Sequence, residues 1–329
     1  MARHQVTAIA NSSSRANQPL VTVAIPSKNR ADCLRRCLAA VRAQSYRPIE
    51  IIVVDDGSVP PLAGLGSDVR VIRNDPSRGA CAARNQALAA ALGDYVVFFD
   101  DDAEPKEPTL IARALAWRES VSSLGAIAFR QLRADGSPLP WQPLRTERPC
   151  YAPWFYTYGC MVDRRAVMRA GAFLEVLGIY GEEQEFSLRL LDCGLNIVYD
   201  PTLSVVHHHE PVGRNERANQ VRGRRNWTVA ILLRYPLWMV VPALANYWFW
   251  VWRNRGRGGF DWAGFGQALG GVIPLIPYIR RSRSPVKLST LRLRRRLTTA
   301  KFVLALPSND ATSNHQPGEE SEYPLPENA

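Results

Sequence analysis

Short β-branched, apolar runs alternate with helical periodicity from Leu20 onward. "LVTVAI" leads through "PSKNR" into a helical stretch over residues 32–44. There Leu34, Cys37, Leu38 and Val41 fall on one face and Asp32 is placed to cap. "IEIIVV" ends at "DDGS", "VRVIRN" reads as a third strand, and an Ala-rich helix over residues 80–92 stops at Gly93. "YVVFF" is a fourth strand and runs into Asp100, Asp101 and Asp102. Strands that are apolar on both faces and separated by helices predict an α/β fold, a mostly parallel sheet flanked by helices. Ligands of such sheets bind outside the carboxyl ends of the strands. "PSKNR", "DDGS" and "DDDAE" each follow such an end, so they are expected on one rim.

Beyond Ser120 the pattern loosens. "RADGSPLPWQPLRTERP" is a Pro-rich loop of the kind that lies over a site. A helix is expected from near Asp163, and "FSLRLLDCG" is helical up to Gly194. "NIVYDPTLSVVHHHEP" reads as a strand, a turn at Asp200-Pro201, and a second strand ending in His207, His208 and His209. The chain is thus expected to divide into a polar leader (1–19), an α/β domain (20–215), a basic, Trp-rich helical region (216–306) and a polar tail (307–329). Leader and tail have the composition of disordered segments.

Charge sharpens this division. The net charge of +11 over 329 residues is unevenly spread: residues 211–301 hold 18 Lys and Arg against 2 acids. That segment is therefore +16 and the rest of the chain about −5, which points to an anionic surface partner for one region only. Six of the nine tryptophans lie within residues 227–262. Trp and Tyr gather at membrane interfaces and Arg flanks favour anionic headgroups. The apolar run over residues 235–252 is 18 long and holds Pro236 and Pro242, which is at the lower limit for a span. It reads as an element lying on a membrane surface. The competing reading is a set of helices packed on the α/β domain. No nucleic-acid motif accompanies the basic patch. The leader has no long apolar stretch of a secretory signal, and the six cysteines form no CxxC pair. Reduced, buried thiols in a cytoplasmic protein are expected.

Acids gathered at a strand-end rim suit a divalent cation bridging a diphosphate, whose charge offsets carboxylates and phosphates together. A solvated acidic loop is the plain alternative. Arg78, Arg84 and Asn85 in "SRGACAARN" add groups able to meet phosphate or base. "GEEQEFSLRLLDCG" sets Glu182, Glu183 and Glu185 in a first helical turn, either to complement the helix dipole or to supply a general base. The three histidines offer an imidazole ligand or a polar loop, and no HExxH pattern supports a zinc hydrolase.

In order, "IPSKNR", "VVDDGS", "RGACAARNQALAAALGDYVVFFDDDAE", "GEEQEFSLRLLDCG" and "VVHHH" resemble the family 2 glycosyltransferases of the GT-A fold. The resemblance spans residues 21–209 and includes "YGCMVDRRAVMRAGAF", which is similar to the family's acceptor-side segment. It implies that Pro26 and Asn29 line the nucleotide pocket. By the same resemblance Asp56 (or Asp55) bonds the base, and Arg84 supports the base or the diphosphate. Asp100-Asp101-Asp102 matches the family's DXD motif, with Asp100 and Asp101 on the donor nucleotide and Asp102 on Mg2+ or Mn2+; His207 is the favoured histidine ligand. Glu183 would be the catalytic base, and Glu182, Trp154 and Tyr158 would line the acceptor side. The chain departs from the family in having Glu182-Glu183 for Glu-Asp and three histidines for one. The implied activity is inverting transfer of a sugar from a nucleoside-diphosphate sugar to a hydroxyl of a lipid-linked or cell-envelope glycan. The expected location is peripheral, on the cytoplasmic face of the plasma membrane. The rivals are a sugar-nucleotide pyrophosphorylase-like nucleotidyltransferase, whose Gly/Arg-rich loop "PSKNR" does not match, and a non-catalytic nucleotide-sugar-binding module.

Overall fold

The computed structural model describes residues 18–208, 215–254, 260–299, 302 and 304. The leader up to residue 17, His209 and the tail from 305 lie outside the described residues. The four strands read from the sequence form first: β1 (Val21–Ser27), β2 (Ile49–Asp56), β3 (Val69–Asn74) and β4 (Tyr95–Phe98). They pair in parallel in the order β3-β2-β1-β4. The sheet continues through β8 (Cys160–Asp163), β6 (Leu124–Leu132), β9 (Asn196–His207) and β5 (Ala103–Pro105), with β7 (Cys150–Tyr151) pairing β9. Strand β8 runs antiparallel between β4 and β6, so the sheet is mixed although most strands share one direction.

Side chains alternate across the strands and divide the core in two. Val96 and Phe98 point to one layer, Val97 and Phe99 to the other. The first layer holds α2 (Ala80–Ala90), α4 (Arg164–Ala170) and α5 (Glu182–Asp192); the second holds α1 (Ala31–Arg42) and α3 (Leu110–Ser120). Leu34, Cys37, Leu38 and Val41 are all buried, as their spacing predicts. Asp32 makes no cap; it sits in the first turn of α1 and pairs with Arg35 at 2.7 Å. Nor does the chain break at Asp200-Pro201. Strand β9 runs on through a register shift, Phe129 facing Asp200 and Arg130 facing Ser204, because a bulge absorbs the proline.

Five further helices follow: α6 (Glu216–Arg234), α7 (Leu237–Arg253), α8 (Trp262–Gly270), α9 (Ile276–Ser282) and α10 (Leu288–Thr299). Helix α6 buries Val229, Ala230, Ile231 and Leu233, and Leu291 of α10 packs with Val286 on Leu188 of α5. Helix α7 buries only Val251. Among the described residues no helix is long and apolar enough to cross a membrane.

Gly93 does not act as a helix stop with left-handed backbone. It lets the turn before β4 close onto β1: a Cβ there would stand 2.6 Å from the Thr22 amide nitrogen and 2.8 Å from the Leu20 carbonyl oxygen. Backbone cannot yield as a flexible side chain does. Gly93→Ala should therefore lower stability by about 1–3 kcal/mol in urea unfolding, the usual range for overpacking; an unchanged midpoint would contradict this reading.

Candidate active site

The rim of the sheet is built from carboxylates, each met by donors of its own. Asp55 accepts from the Ser58 amide (2.9 Å), the Leu62 amide (3.1 Å) and Arg73 Nη1 (2.6 Å). Asp56 accepts from Asn74 Nδ2 (2.9 Å), Ser77 Oγ (2.6 Å) and the amides of Arg78 (2.8 Å) and Gly79 (2.9 Å). Burial pushes both acids up, but these bonds outweigh it and hold them below the usual carboxylate range. Four bonds match the lone-pair sites of a carboxylate. The role visible for Asp56 is thus to fold the Ser77–Gly79 turn, and for Asp55 to fold the loop after β2. Asn29, exposed and with φ of 57°, ties the β1 end to that loop: its Oδ1 accepts from the Val59 amide at 2.8 Å. Pro26 lies in β1 opposite Val54, half-buried.

At the end of β4 the three aspartates divide. Asp101 accepts from Ser27 Oγ at 2.7 Å and pairs with Arg30 Nη1 at 3.2 Å. Burial pushes it up to about 6, with Ser27 and Arg30 pulling down and the flanking aspartates pushing further. Asp102 is buried, 3.3 Å from the same Arg30 nitrogen and 3.2 Å from His207 Nε2. Pairing of Ala103 in β5 with His207 in β9 brings the two together. Asp100, Asp102 and His207 offer ligand atoms that all lie within 4.8 Å of one another. Ligands around an octahedral ion with bonds of about 2.1 Å stand roughly 3–4.2 Å apart, so this set fits a divalent cation after a small closure. His208 is turned elsewhere, 2.8 Å from Glu104.

The three glutamates at the start of α5 do three different things. Glu182 is buried against Arg84, Oε1 to Nη1 at 2.8 Å, and Arg84 Nη2 reaches Asp100 at 3.2 Å. Burial and then Glu183 raise the Glu182 carboxyl, and Arg84 opposes them. Arg84, 3 % exposed, is a strut between the aspartate loop and α5, with Asp100 on one side and Glu182 on the other. Glu182 faces Arg84, because burial demands a cation beside it. Glu185 is likewise enclosed, met by Arg189 and by Arg234 Nε at 2.6 Å. Glu183 is held without a cation: its Oε1 accepts from Thr157 Oγ1 at 3.1 Å, whereas Oε2 of Glu182 is buried with no hydrogen-bond partner among the described residues. Trp154, Tyr156 and Tyr158 belong to the same segment as Thr157. Tyr158 packs on the His207 ring (centroids 4.6 Å), and Tyr156 stacks on Tyr158 at 5.1 Å.

Sequence reasoning missed the groups that hold this arrangement. Asn226 of α6, fully buried, donates to the carbonyls of Leu177, Ile179 and Tyr180 (2.7, 2.9 and 2.7 Å). It thereby fixes the turn that enters α5 with positive φ at Tyr180 and Gly181. Arg30 and Ser27 had a signal, the "PSKNR" segment; Asn226 and Arg234 had none.

Residues 22–177 match the profile described as "Glycosyl transferase family 2". That stretch, just under half of the chain, is similar to family 2 glycosyltransferases. A "Pre-mycofactocin glycosyltransferase" of Mycobacterium tuberculosis is 30% identical over 206 residues, which cover 57% of this chain and 43% of that relative. The chain thus spans under half the length of that curated relative. Among solved structures, S. aureus TarS 1-349 in complex with UDP-GlcNAc superposes with a TM-score of 0.55 at 16% identity, covering 84% of this chain and 90% of that one. The mannosyltransferase PcManGT from Pyrobaculum calidifontis, in complex with GDP-Man and Mn2+, gives 0.52 at 17% identity, covering 84% and 78%. These likenesses carry the α/β, GT-A-like fold.

Asp56→Ala strands four donors and should lower stability by about 1–3 kcal/mol at pH 7. The sign follows from its depressed pKa. The native carboxylate stabilises above the unfolded value near 3.8 and loses that contribution as pH falls through its lower folded value. The gap between wild type and variant, read by urea unfolding, should therefore shrink as pH drops below about 4.

Proposed function

We propose that this protein transfers a sugar from a nucleoside-diphosphate sugar to a hydroxyl acceptor, with inversion and with Mg2+ or Mn2+ as cofactor. The observation that carries the reading is Glu183. It makes no ion pair among the described residues and is held by Thr157, whereas Glu182 and Glu185 pair with arginines; Asp100, Asp102 and His207 form the candidate metal set. The family-model match over residues 22–177 and the nucleotide-sugar complexes of the structural relatives support the donor class. A binding module would not need a held base, and neither rival gains a supporting observation.

Asp100, Asp102 and His207 would hold the metal, which when bound offsets the charge of the departing diphosphate. Glu183 Oε2 takes the proton from the acceptor oxygen as that oxygen attacks the anomeric carbon. Thr157 fixes the carboxylate's rotation, so its other oxygen meets the acceptor in one direction. Arg84 and Glu182 keep α5 and the aspartate loop in register. A single displacement with the base on the acceptor side inverts the anomeric centre. Asp102→Asn should abolish metal-linked protection of the protein by sugar nucleotides in thermal unfolding; protection equal to wild type would sink the donor site. Glu183→Gln should keep donor binding and lower transfer by about 10²–10⁴. Full activity in that variant would remove Glu183 as base.

The same reading places the protein on the cytoplasmic face of the plasma membrane, with a lipid-linked or membrane-bound glycan as acceptor. Among the described residues, ten of the sixteen large exposed apolar side chains fall between Leu237 and Ile276, among them Trp238, Val241, Phe249 and Trp252 along one face of α7. Exposed Arg253, Arg280 and Arg281 lie in the same region, which suits an anionic lipid surface. Flotation of the full chain with anionic liposomes should succeed and weaken at high salt. Trp238→Ser with Phe249→Ser should reduce it about tenfold or more, given what each buried aromatic contributes. Failure of the wild-type chain to float on anionic liposomes would overturn the membrane placement.

A further inference from the structure

A cleft of about 760 Å³ opens between the Pro-rich loop that joins β6 to β7 and the strands β6 and β9. Buried Leu139, Leu144 and Tyr199 give it an apolar floor, and exposed Pro138 and Pro140 stand at its edge. Arg130, Arg145, Glu147 and Arg148 supply its charge. None of these residues belongs to the carboxylate rim.

The loop that walls the cleft is pinned to the sheet. Gln142 Oε1 accepts from the Gln131 amide at 3.0 Å, and its Nε2 donates to the carbonyls of Gln131 (2.7 Å) and Leu139 (3.0 Å). Arg130 is neutralised by Glu147, with Nη2 to Oε1 at 3.0 Å. Arg145 and Arg148 are exposed, and their side chains make no hydrogen bond or ion pair among the described residues. The cleft therefore combines an apolar floor with two uncancelled cations at one wall.

After α10 the chain comes back to that wall. The Tyr151 amide donates to the Phe302 carbonyl at 3.2 Å, and the Leu304 amide donates to the Pro149 carbonyl at 2.8 Å. Rising numbers on one side meet falling numbers on the other, so this run is antiparallel to β7 and heads for Arg148 and Glu147. Residues 305–329, outside the described residues, thus start beside the cleft. Their sequence holds Asp310, Glu319, Glu320, Glu322 and Glu327 and no Lys or Arg. Four of these five acids fall in "EESEYPLPE", residues 319–327, together with Tyr323, Pro324, Leu325 and Pro326. The 15 residues from Leu304 to Glu319 can reach up to about 50 Å, so the segment can return to the wall it starts from.

We propose that this cleft is the docking site of the chain's own acidic segment, residues 319–327. Tyr323 and Leu325 lie on the apolar floor, and the flanking glutamates meet Arg145 and Arg148. Proline restricts the backbone before docking, so ordering such a segment costs less than ordering one without it. Pro-containing segments are commonly taken up by apolar grooves that hold an aromatic ring. The competing surface is α10, whose exposed Arg292 and Arg295 also attract acids. The cleft is favoured because it offers an apolar floor together with charge, and because the chain arrives at its wall. The loop leaves β6 at Leu132, which faces Val206 next to His207, so the docked segment holds from outside a loop that starts at the carboxylate rim.

The test uses the full chain with Tyr323→benzoylphenylalanine, a photo-cross-linking residue, irradiated at low salt and mapped by mass spectrometry. Links should fall on residues 138–148 of the same chain. Arg145→Gln with Arg148→Gln should lower their yield about fivefold or more, since two exposed ion pairs are lost. Arg292→Gln with Arg295→Gln should leave the yield within about twofold. All four positions are exposed, so the fold is kept. Isotopically light and heavy protein are mixed before irradiation. Docking within one chain gives no light–heavy pairs; mixed pairs as frequent as unmixed ones assign the cleft to a second copy and overturn the proposal. Links centred on α10, or a yield unchanged by the Arg145 and Arg148 substitutions, overturn it as well. Amide exchange gives a check without a probe. When Glu319, Glu320, Glu322 and Glu327 are all changed to Gln, residues 138–148 should exchange several-fold faster than in wild type. Equal exchange rates would reject the docking.

Discussion

Buried carboxylates need cations or several donors beside them, and this protein sinks a row of them into one end of its sheet. Asp101, Asp102, Glu182 and Glu185 are all enclosed. Arg30 serves the first two, Arg84 the third, Arg189 and Arg234 the fourth. These cations come from α1, α2, α5 and α6, so the elements around the rim are fixed by the charges they must cancel. Asp100 keeps access to solvent and is held by Arg84; Glu183 is buried but held by Thr157 and not by a cation. The open chemistry of the site is what remains after the rest has been neutralised.

One consequence concerns the helices after β9. Arg234 reaches Glu185 from α6, and Asn226 ties the turn ahead of Glu182 through three carbonyls. Val286 and Leu291 cover Leu188 on the outer side of α5. The basic region thus supports the helix that carries Glu183, and shortening the chain within α6 would expose Val229, Ala230 and Leu233 as well as strand Glu185. Membrane binding and site geometry have to be separated by point substitutions on the outward face of α7.

The parts of this arrangement that the sequence disclosed were those written in local patterns. Alternating apolar runs gave β1 to β4 and the faces of α1, and strand-end acids located the rim. The resemblance to the family motifs singled out Asp102 and His207, which lie side by side with Asp100, and Glu183, which meets Thr157. What stayed hidden depends on residues far apart in the chain. Nothing near Arg84 says that it turns inward, since its partner Glu182 is 98 positions away. Nothing near Asn226 says that it closes a turn 46 to 49 positions back. The antiparallel β8 was concealed for a similar reason, because "CMVD" is as apolar as its parallel neighbours and carries no sign of direction. The partners of Asp55 and Asp56 were hidden in another way: their donors include four backbone amides, which sequence does not display.

Charge bookkeeping changes once these contacts are known. The +16 of residues 211–301 is not all available to a surface. Arg217 pairs with Asp261, Arg234 with Glu185, and Arg283 donates to the carbonyls of Leu232 and Tyr235. What remains outward, Arg253, Arg280, Arg281, Arg292 and Arg295 among others, is a smaller field spread beside an aromatic face. In the proposed membrane attachment, a modest field with a large apolar face makes insertion of side chains contribute alongside charge, so salt should weaken it without abolishing it. Arg294 belongs to neither group. It is too enclosed to act on a distant surface and has no acid of its own, so its charge acts only at short range, beside the helix of Glu183.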